Sequence, residues 1–197
     1  MLERYGFLGS LRIFWSLIYT KLFFSNARLI RLPFDIRNRK SIKIGKDFTS
    51  GFGCRIEAYP QKNNFDKILI FGKNVEINDY VHIAAGERIT IGDNVLIASK
   101  VFISDINHGS YKQGKSDNPL SIPKERKLST DPIIVKDNAW IGEGVCIMSG
   151  VTIGLGSIIG ALSVVTKDIP DYSIAVGSPA KVIKQFDFEK NEWVSLN

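Results

Sequence analysis

The stretch Val135-Lys-Asp-Asn-Ala-Trp-Ile141-Gly-Glu-Gly-Val-Cys-Ile147-Met-Ser-Gly-Val-Thr-Ile153-Gly-Leu-Gly-Ser-Ile-Ile159-Gly-Ala-Leu-Ser-Val-Val165 places an aliphatic residue at every sixth position. Gly142, Gly154, Gly160 and Thr166 follow four of these aliphatics, and Ala139, Val145, Val151, Ser157, Ser163 and Ile169 stand four residues after them. A period of six suits neither a helix, which repeats every 3.6 residues, nor a plain alternating strand. It suits short strands that meet at corners, three strands to a triangular coil, with coil stacked on coil. The aliphatics then point inward, the small residues let the backbone turn, and the β-branched neighbours suit pleated walls.

Working outward, the same register appears as Phe71, Ile77 and Ile83, slips by two residues, and resumes as Ile91, Ile97 and Ile103. Such a slip predicts a small outward bulge. After Ile103 the repeat stops and does not return until Val135; most of the gap, Gly109 to Asp131, is polar. An excursion of that length inside a regular solenoid is usually functional or disordered. The predicted organisation is therefore a β-solenoid over residues 41–180 carrying a loop at 109–132. Residues 1–40 read as one or two amphipathic helices before it, and residues 181–197 as a tail that caps it as a short helix or strand.

The net charge of +6 sits at one end. Residues 1–40 carry Arg4, Arg12, Lys21, Arg28, Arg31, Arg37, Arg39 and Lys40 against Glu3 and Asp35, while the remainder balances 18 basic with 18 acidic side chains. A neutral body argues against nucleic acid as a partner. The apolar run Phe7 to Phe24 is interrupted by Arg12 and Lys21, which argues against a membrane span. It also lacks the pattern of a secretory signal, so a cytoplasmic location is expected. Cys54 and Cys146 form no CxxC pair and read as idle or buried thiols.

Two histidines, His82 and His108, bound the possible chemistry. A site with three histidines for zinc cannot be built from them, so no metal is expected. His108 stands at the root of the excursion, in Ile103-Ser-Asp-Ile-Asn-His108-Gly-Ser-Tyr111. His82 reads as a plain solvated histidine.

Three stretches carry a family resemblance: Ile89-Thr-Ile-Gly-Asp-Asn-Val-Leu-Ile97, Asn138-Ala-Trp-Ile-Gly142, and Val165-Thr-Lys-Asp-Ile-Pro170 with Val176-Gly-Ser-Pro-Ala-Lys-Val-Ile-Lys184. Together they resemble the hexapeptide-repeat acetyltransferases of the galactoside, maltose and xenobiotic type, and their relatives in bacterial surface-polysaccharide and lipopolysaccharide biosynthesis. The resemblance implies an all-β fold, a left-handed parallel β-helix; the handedness comes from the family and not from the spacing. It implies acetyl-CoA as acyl donor, a saccharide or sugar precursor as acceptor, and a homotrimer whose neighbours share each active site.

By the same resemblance His108 is the general base, removing the proton of a sugar hydroxyl as it attacks the thioester. Asp105 could orient its ring, although a backbone carbonyl could do so equally. Asn78 would bind the acceptor, with Tyr111 and Trp140 near it. Gly142, Gly160 and Ala161 would contact the pantetheine arm, Thr166 and Lys167 would follow it, and Lys181 and Lys184 would approach the phosphates. Two departures stand out: a family aspartate is replaced by Gly86, and the usual His-Pro is His108-Gly109.

Amino-sugar or antibiotic acetylation would use the same base, and a non-catalytic scaffold would need none. Nucleotidyl transfer is expected less still, because the repeats begin near residue 42 and leave no room before them for a separate nucleotide-binding domain. In the arm, Leu8, Leu11, Ile13, Phe14, Leu17, Ile18 and Leu22 lie largely on one helical stripe. That stripe is expected to cap the solenoid, the alternative being peripheral contact of residues 1–40 with acidic lipid.

Overall fold

A computed structural model describes residues 2–60 and 66–196. The six-residue spacing becomes parallel strands of two to five residues joined by turns, dealt in rotation to three sheets. The first sheet holds Glu76–Ile77, Leu96–Ile97, Trp140–Ile141 and Ile158–Ile159 in order. The second runs Phe34–Arg37, Cys54–Ala58, His82–Ala85, Phe102–Ser104, Cys146–Ile147 and Val164–Val165, and the third includes Leu69–Phe71, Ile89–Ile91, Ile133–Val135 and Thr152–Ile153.

Each sheet stacks its aliphatics in register. Ile77, Ile97, Ile141 and Ile159 align in the first, Ile56, Ile83, Ile103, Ile147 and Val165 in the second, and Phe71, Ile91, Val135 and Ile153 in the third. Every one of them is at most 1% exposed, and all belong to one core. At one corner Asn74, Asn94 and Asn138 adopt left-handed φ values of 52, 57 and 58°, a region that asparagine tolerates. Their amides form a ladder, Asn74 Nδ2 donating to Asn94 Oδ1 at 3.0 Å and Asn94 Nδ2 to Asn138 Oδ1 at 3.2 Å.

The two-residue slip is a bulge at residues 86–88, between the strands His82–Ala85 and Ile89–Ile91. The backbone N–H groups of Gly86, Glu87 and Arg88 turn to the Asp105 carboxylate, donating at 2.6, 2.9 and 2.7 Å. Asp105 is fully buried. Burial pushes its carboxyl up, against the opposing pull of those three donors.

Two expectations need correction. Helix α1, Leu2–Phe23, stops well short of residue 40, and strands Leu29–Ile30 and Phe34–Arg37 already join the first and second sheets. The reason is local: Pro33 cannot continue a helix, while Ile30 and Phe34 fill the end of the core. The apolar stripe of α1 also faces the wrong way for a cap. Of its seven residues only Ile13 is buried; Leu8, Leu11, Phe14, Leu17, Ile18 and Leu22 are exposed, as are Phe7, Trp15 and Phe23.

Besides Ile13 and the partly buried Tyr19, what α1 turns inward is polar. Ser16 and Thr20 are buried; Leu32 N–H donates to Ser16 Oγ at 3.0 Å and Ile30 N–H to Thr20 Oγ1 at 2.8 Å. The helix thus serves the unpaired edge of the first strands, and Phe24, just past its end, carries the apolar packing into the core. The tail closes the other end as antiparallel strands, Ala180–Asp187 pairing with Ser173–Gly177 and then with Glu192–Ser195. No helix among the described residues is long and apolar enough to cross a membrane.

Candidate active site

The excursion begins and ends as a hairpin. Ile106–His108 pairs antiparallel with Leu128–Thr130, setting His108 opposite Leu128. Side chains pin the loop to the body, Asn107 Nδ2 donating to Ser149 Oγ at 2.6 Å and Thr130 Oγ1 to Glu87 Oε2 at 2.7 Å, and Lys112 Nζ meets Asp131 at 2.6 Å across the loop's own two arms. Inside the loop, Ser110 N–H donates to Asp117 at 2.7 Å, and Arg126 holds Ser121 through its oxygens at 2.8 Å. The root of the loop is therefore a fixed platform.

His108 is exposed on that platform and lines a cleft of about 430 Å³ between the hairpin and the outer wall of the second sheet. No side-chain hydrogen bond to its imidazole is found among the described residues. Across the cleft stand Arg55, Glu57, Tyr59, His82, Ala84, Phe102 and Ser104. Strand pairing brings them together, with Arg55 beside His82, His82 beside Phe102, and Glu57 beside Ala84.

At the centre of this wall lies Glu57, 1% exposed. Its carboxylate receives Arg37 at 2.7 Å, Arg55 at 2.8 Å, the Tyr59 hydroxyl at 2.7 Å and His82 Nε2 at 2.9 Å. Burial opposes its ionisation, but the hydrogen bonds from Arg55, Tyr59 and His82 outweigh that and pull it down to about 2. Phe102 packs on the His82 ring at 5.3 Å between centroids. Sequence reading passed over this set, although the alternation Arg55-x-Glu57-x-Tyr59 puts three polar residues on one face of a strand.

The expected site residues fall into groups. Asp105 does not orient the imidazole of His108, because its oxygens are occupied by the N–H groups of the bulge. Tyr111 donates through its hydroxyl to the His108 carbonyl at 2.7 Å and accepts from Arg126 at 3.1 Å, so it braces the root of the loop. Asn78, Gly142 and Gly160 each follow the aliphatic residue of a first-sheet strand and hydrogen-bond to the next strand, their N–H groups donating to Ile97, Ile159 and Ala175. Asn78 also spends its amide on the Ile97 carbonyl at 3.3 Å.

Trp140 is half-exposed on the first sheet, paired with Leu96 and Ile158. Ala161 is exposed beside Gly160 at the corner after the first sheet. Thr166 and Lys167 follow Val164–Val165 and so lie at the corner from which the excursion also departs. Lys181 is exposed and Lys184 half-buried on the antiparallel strand, opposite Val176 and Ile174. Of all these residues, only His108 belongs to the cleft lining.

No family model matches the chain. Individual relatives do. WbbJ of Escherichia coli (strain K12), provisionally named a lipopolysaccharide biosynthesis O-acetyl transferase, is 42% identical over 97% of this chain and 95% of its own. The galactoside O-acetyltransferase of Escherichia coli (strain K12) is 34% identical over 79% of this chain and 72% of its own. The chain belongs to the hexapeptide-repeat acetyltransferase family. It is an acyltransferase.

Solved structures of the family superpose accordingly. A galactoside acetyltransferase in complex with coenzyme A matches at 35% identity and a TM-score of 0.55, covering 73% of this chain and 68% of the other. A maltose O-acetyltransferase from Clostridium difficile 630 matches at 32% identity and a TM-score of 0.58, covering 74% and 70%. The N-acyltransferase AntD from Bacillus cereus shares the fold at a TM-score of 0.68 with 24% identity, covering 88% and 90%.

Geometry explains the two departures from the family pattern. Gly109 has φ of +103°, which the ring of a proline forbids, so His-Pro could not adopt this turn. At Gly86 a Cβ would stand 2.7 Å from Ile106 Cγ1 and 2.9 Å from Thr130 Cγ2, so the hairpin root occupies the space an aspartate side chain would need. Cys54 is buried, with its thiol pushed up to about 11 by desolvation, and takes no part in the cleft.

Proposed function

We propose that this protein transfers the acetyl group of acetyl-CoA to a hydroxyl of a saccharide in bacterial surface-polysaccharide biosynthesis, with His108 as general base. The observation that carries the reading is His108 itself, held on a pinned hairpin and opening onto a cleft large enough for a sugar ring, in a chain related to sugar O-acetyltransferases. The imidazole takes the proton as the hydroxyl oxygen attacks the thioester carbonyl. The tetrahedral adduct then expels the thiolate, which recovers that proton and leaves as free coenzyme A. Oxygen and carbon form one bond as carbon and sulfur break one, so no acyl-enzyme is needed.

The rotation of strands through three sheets around one core supports a parallel β-helix, and membership of the family supports its left hand. Residues 41–180 remain its proposed body, extended by the first strands at Leu29–Ile30 and Phe34–Arg37. The proposed coenzyme residues Gly142, Gly160, Ala161, Thr166, Lys167, Lys181 and Lys184 lie outside the His108 cleft of their own chain, which favours a homotrimer with sites shared between neighbours. Light scattering should give three chains per particle.

The test follows thiol release from acetyl-CoA with neutral sugars, oligosaccharides, amino sugars and antibiotics as acceptors. Acceptor-dependent release in the wild type, reduced about 10²–10⁴-fold in His108→Ala without a change in melting, supports the mechanism. Equal rates in both proteins, or no binding of acetyl-CoA, sinks it.

We also infer that α1 rests on anionic lipid at the cytoplasmic face of a membrane. Its exposed Leu8, Leu11, Phe14, Trp15, Leu17 and Ile18 are accompanied by Arg12 and Lys21, a pairing of apolar burial with positive charge suited to that interface. Vesicles containing phosphatidylglycerol should sediment the protein, and phosphatidylcholine alone should do so less. Phe14→Ser with Trp15→Ser should abolish the difference; a variant that sediments with the anionic vesicles as well as the wild type does removes the reading.

A further inference from the structure

The wall facing His108 is overbuilt for a merely structural surface. Arg55 and His82 line the cleft with side chains 45% and 32% exposed, while the carboxylate that holds them is 1% exposed. The buried anion fixes the geometry of the guanidinium, the imidazole and the Tyr59 hydroxyl, yet it is hidden behind them. What the wall offers to solvent is therefore a guanidinium edge, an imidazole edge and a phenol oxygen whose proton is already committed to Glu57.

Around these lie apolar surfaces suited to the C–H face of a sugar ring: Phe102, Ala84, Ile106 and Leu128. Phe102 also supports the His82 ring from the side. Holding donors rigidly before a ligand arrives lowers the entropy lost on binding, and a guanidinium suits a planar or tetrahedral oxyanion. The sheet supplies this rigidity, since Arg55, His82 and Phe102 are successive partners across three strands.

We propose that Arg55 and His82, locked together with Tyr59 on the buried carboxylate of Glu57, form an acceptor-recognition surface that selects saccharides bearing an anionic oxygen group, either carboxylate or phosphate. The proposal rests on the transferase reading for its orientation toward His108, but the binding it asserts can be measured without any turnover. Arg55 and His82 are positioning and specificity residues; the proton transfer stays with His108.

The experiment is titration calorimetry with galactose, galacturonic acid and galactose 1-phosphate, three probes sharing one ring. The wild type should bind at least one of the two acidic sugars tenfold or more tightly than galactose, and the pair separates a carboxylate site from a phosphate site. His82→Gln and Arg55→Gln should each lose that preference, Arg55→Lys should recover part of it, and His108→Ala should keep it. In turnover, His82→Gln should raise KM for the acidic acceptor tenfold or more while KM for acetyl-CoA stays put.

Equal affinity of the wild type for all three sugars, or none for any, overturns the proposal. So does an unchanged preference in His82→Gln and Arg55→Gln proteins that melt like the wild type. Should Arg55→Gln fail to fold, His82→Gln and Arg55→Lys decide the matter. If the acidic sugars bind through Arg55 and His82 but no acceptor stimulates thiol release, the recognition surface stands and the transferase reading falls.

Discussion

The walls of the three sheets and helix α1 obey opposite rules of burial. In the walls every sixth residue is aliphatic and disappears into the core, as Ile97, Ile141 and Ile159 do. In α1 most apolar residues point outward, and the buried positions are Ile13, Ser16 and Thr20, spaced by three and four residues. The difference lies in what each element meets. A strand of a wall meets other aliphatics, whereas α1 meets a strand edge whose N–H groups require acceptors. Apolar patterning predicts burial only when the neighbour is also apolar.

Substitution separates the two rules of burial, and the largest loss falls in the walls. Ile141→Ala, in the middle of the first-sheet stack, should cost about 2–5 kcal/mol in denaturant unfolding; a loss well below 1 would mean that the stack does not carry the fold. Glu57 should come next. Its folded value near 2 lies below the ordinary 4.5, so its contribution is present above about pH 4.5 and is lost as the pH falls toward 2. Glu57→Gln should therefore lose stability of order 3 kcal/mol at neutral pH and flatten the acid limb of the unfolding curve.

Thr20→Val keeps the shape and removes the acceptor for the buried Ile30 N–H, which should cost about 1–3 kcal/mol. Were it neutral, the docking of α1 would be apolar after all. Smallest should be Leu11→Gln and Leu17→Gln on the outer face, each within about 0.5 kcal/mol in stability. The same pair should nonetheless weaken sedimentation with anionic vesicles. A large loss of stability there would instead mean that the outer face is covered by protein.

How much was legible in the sequence varied in the same way. The rungs were visible because a period of six repeats, and each residue's environment is set by its equivalents one coil above and below. The bulge was visible as a slip in register, but its anchor was not. Asp105 looked like a partner for a histidine three residues away, and its actual partners at residues 86–88 are close only through the fold. Arg55, Glu57 and Tyr59 alternate plainly on one strand, yet nothing local says that His82 lies beside them; that follows from strand pairing over 25 residues.

The sequence by itself determined the repeat, the place of the excursion, the position of His108 at its root and the acetyltransferase family, because each depends on residue types at fixed spacings. The tertiary structure alone decided which way α1 faces, where Asp105 spends its charge, and that two histidines share a cleft. These are contacts between segments distant in the chain, and their energies depend on which hydrogen bonds and apolar surfaces meet after the coils have stacked.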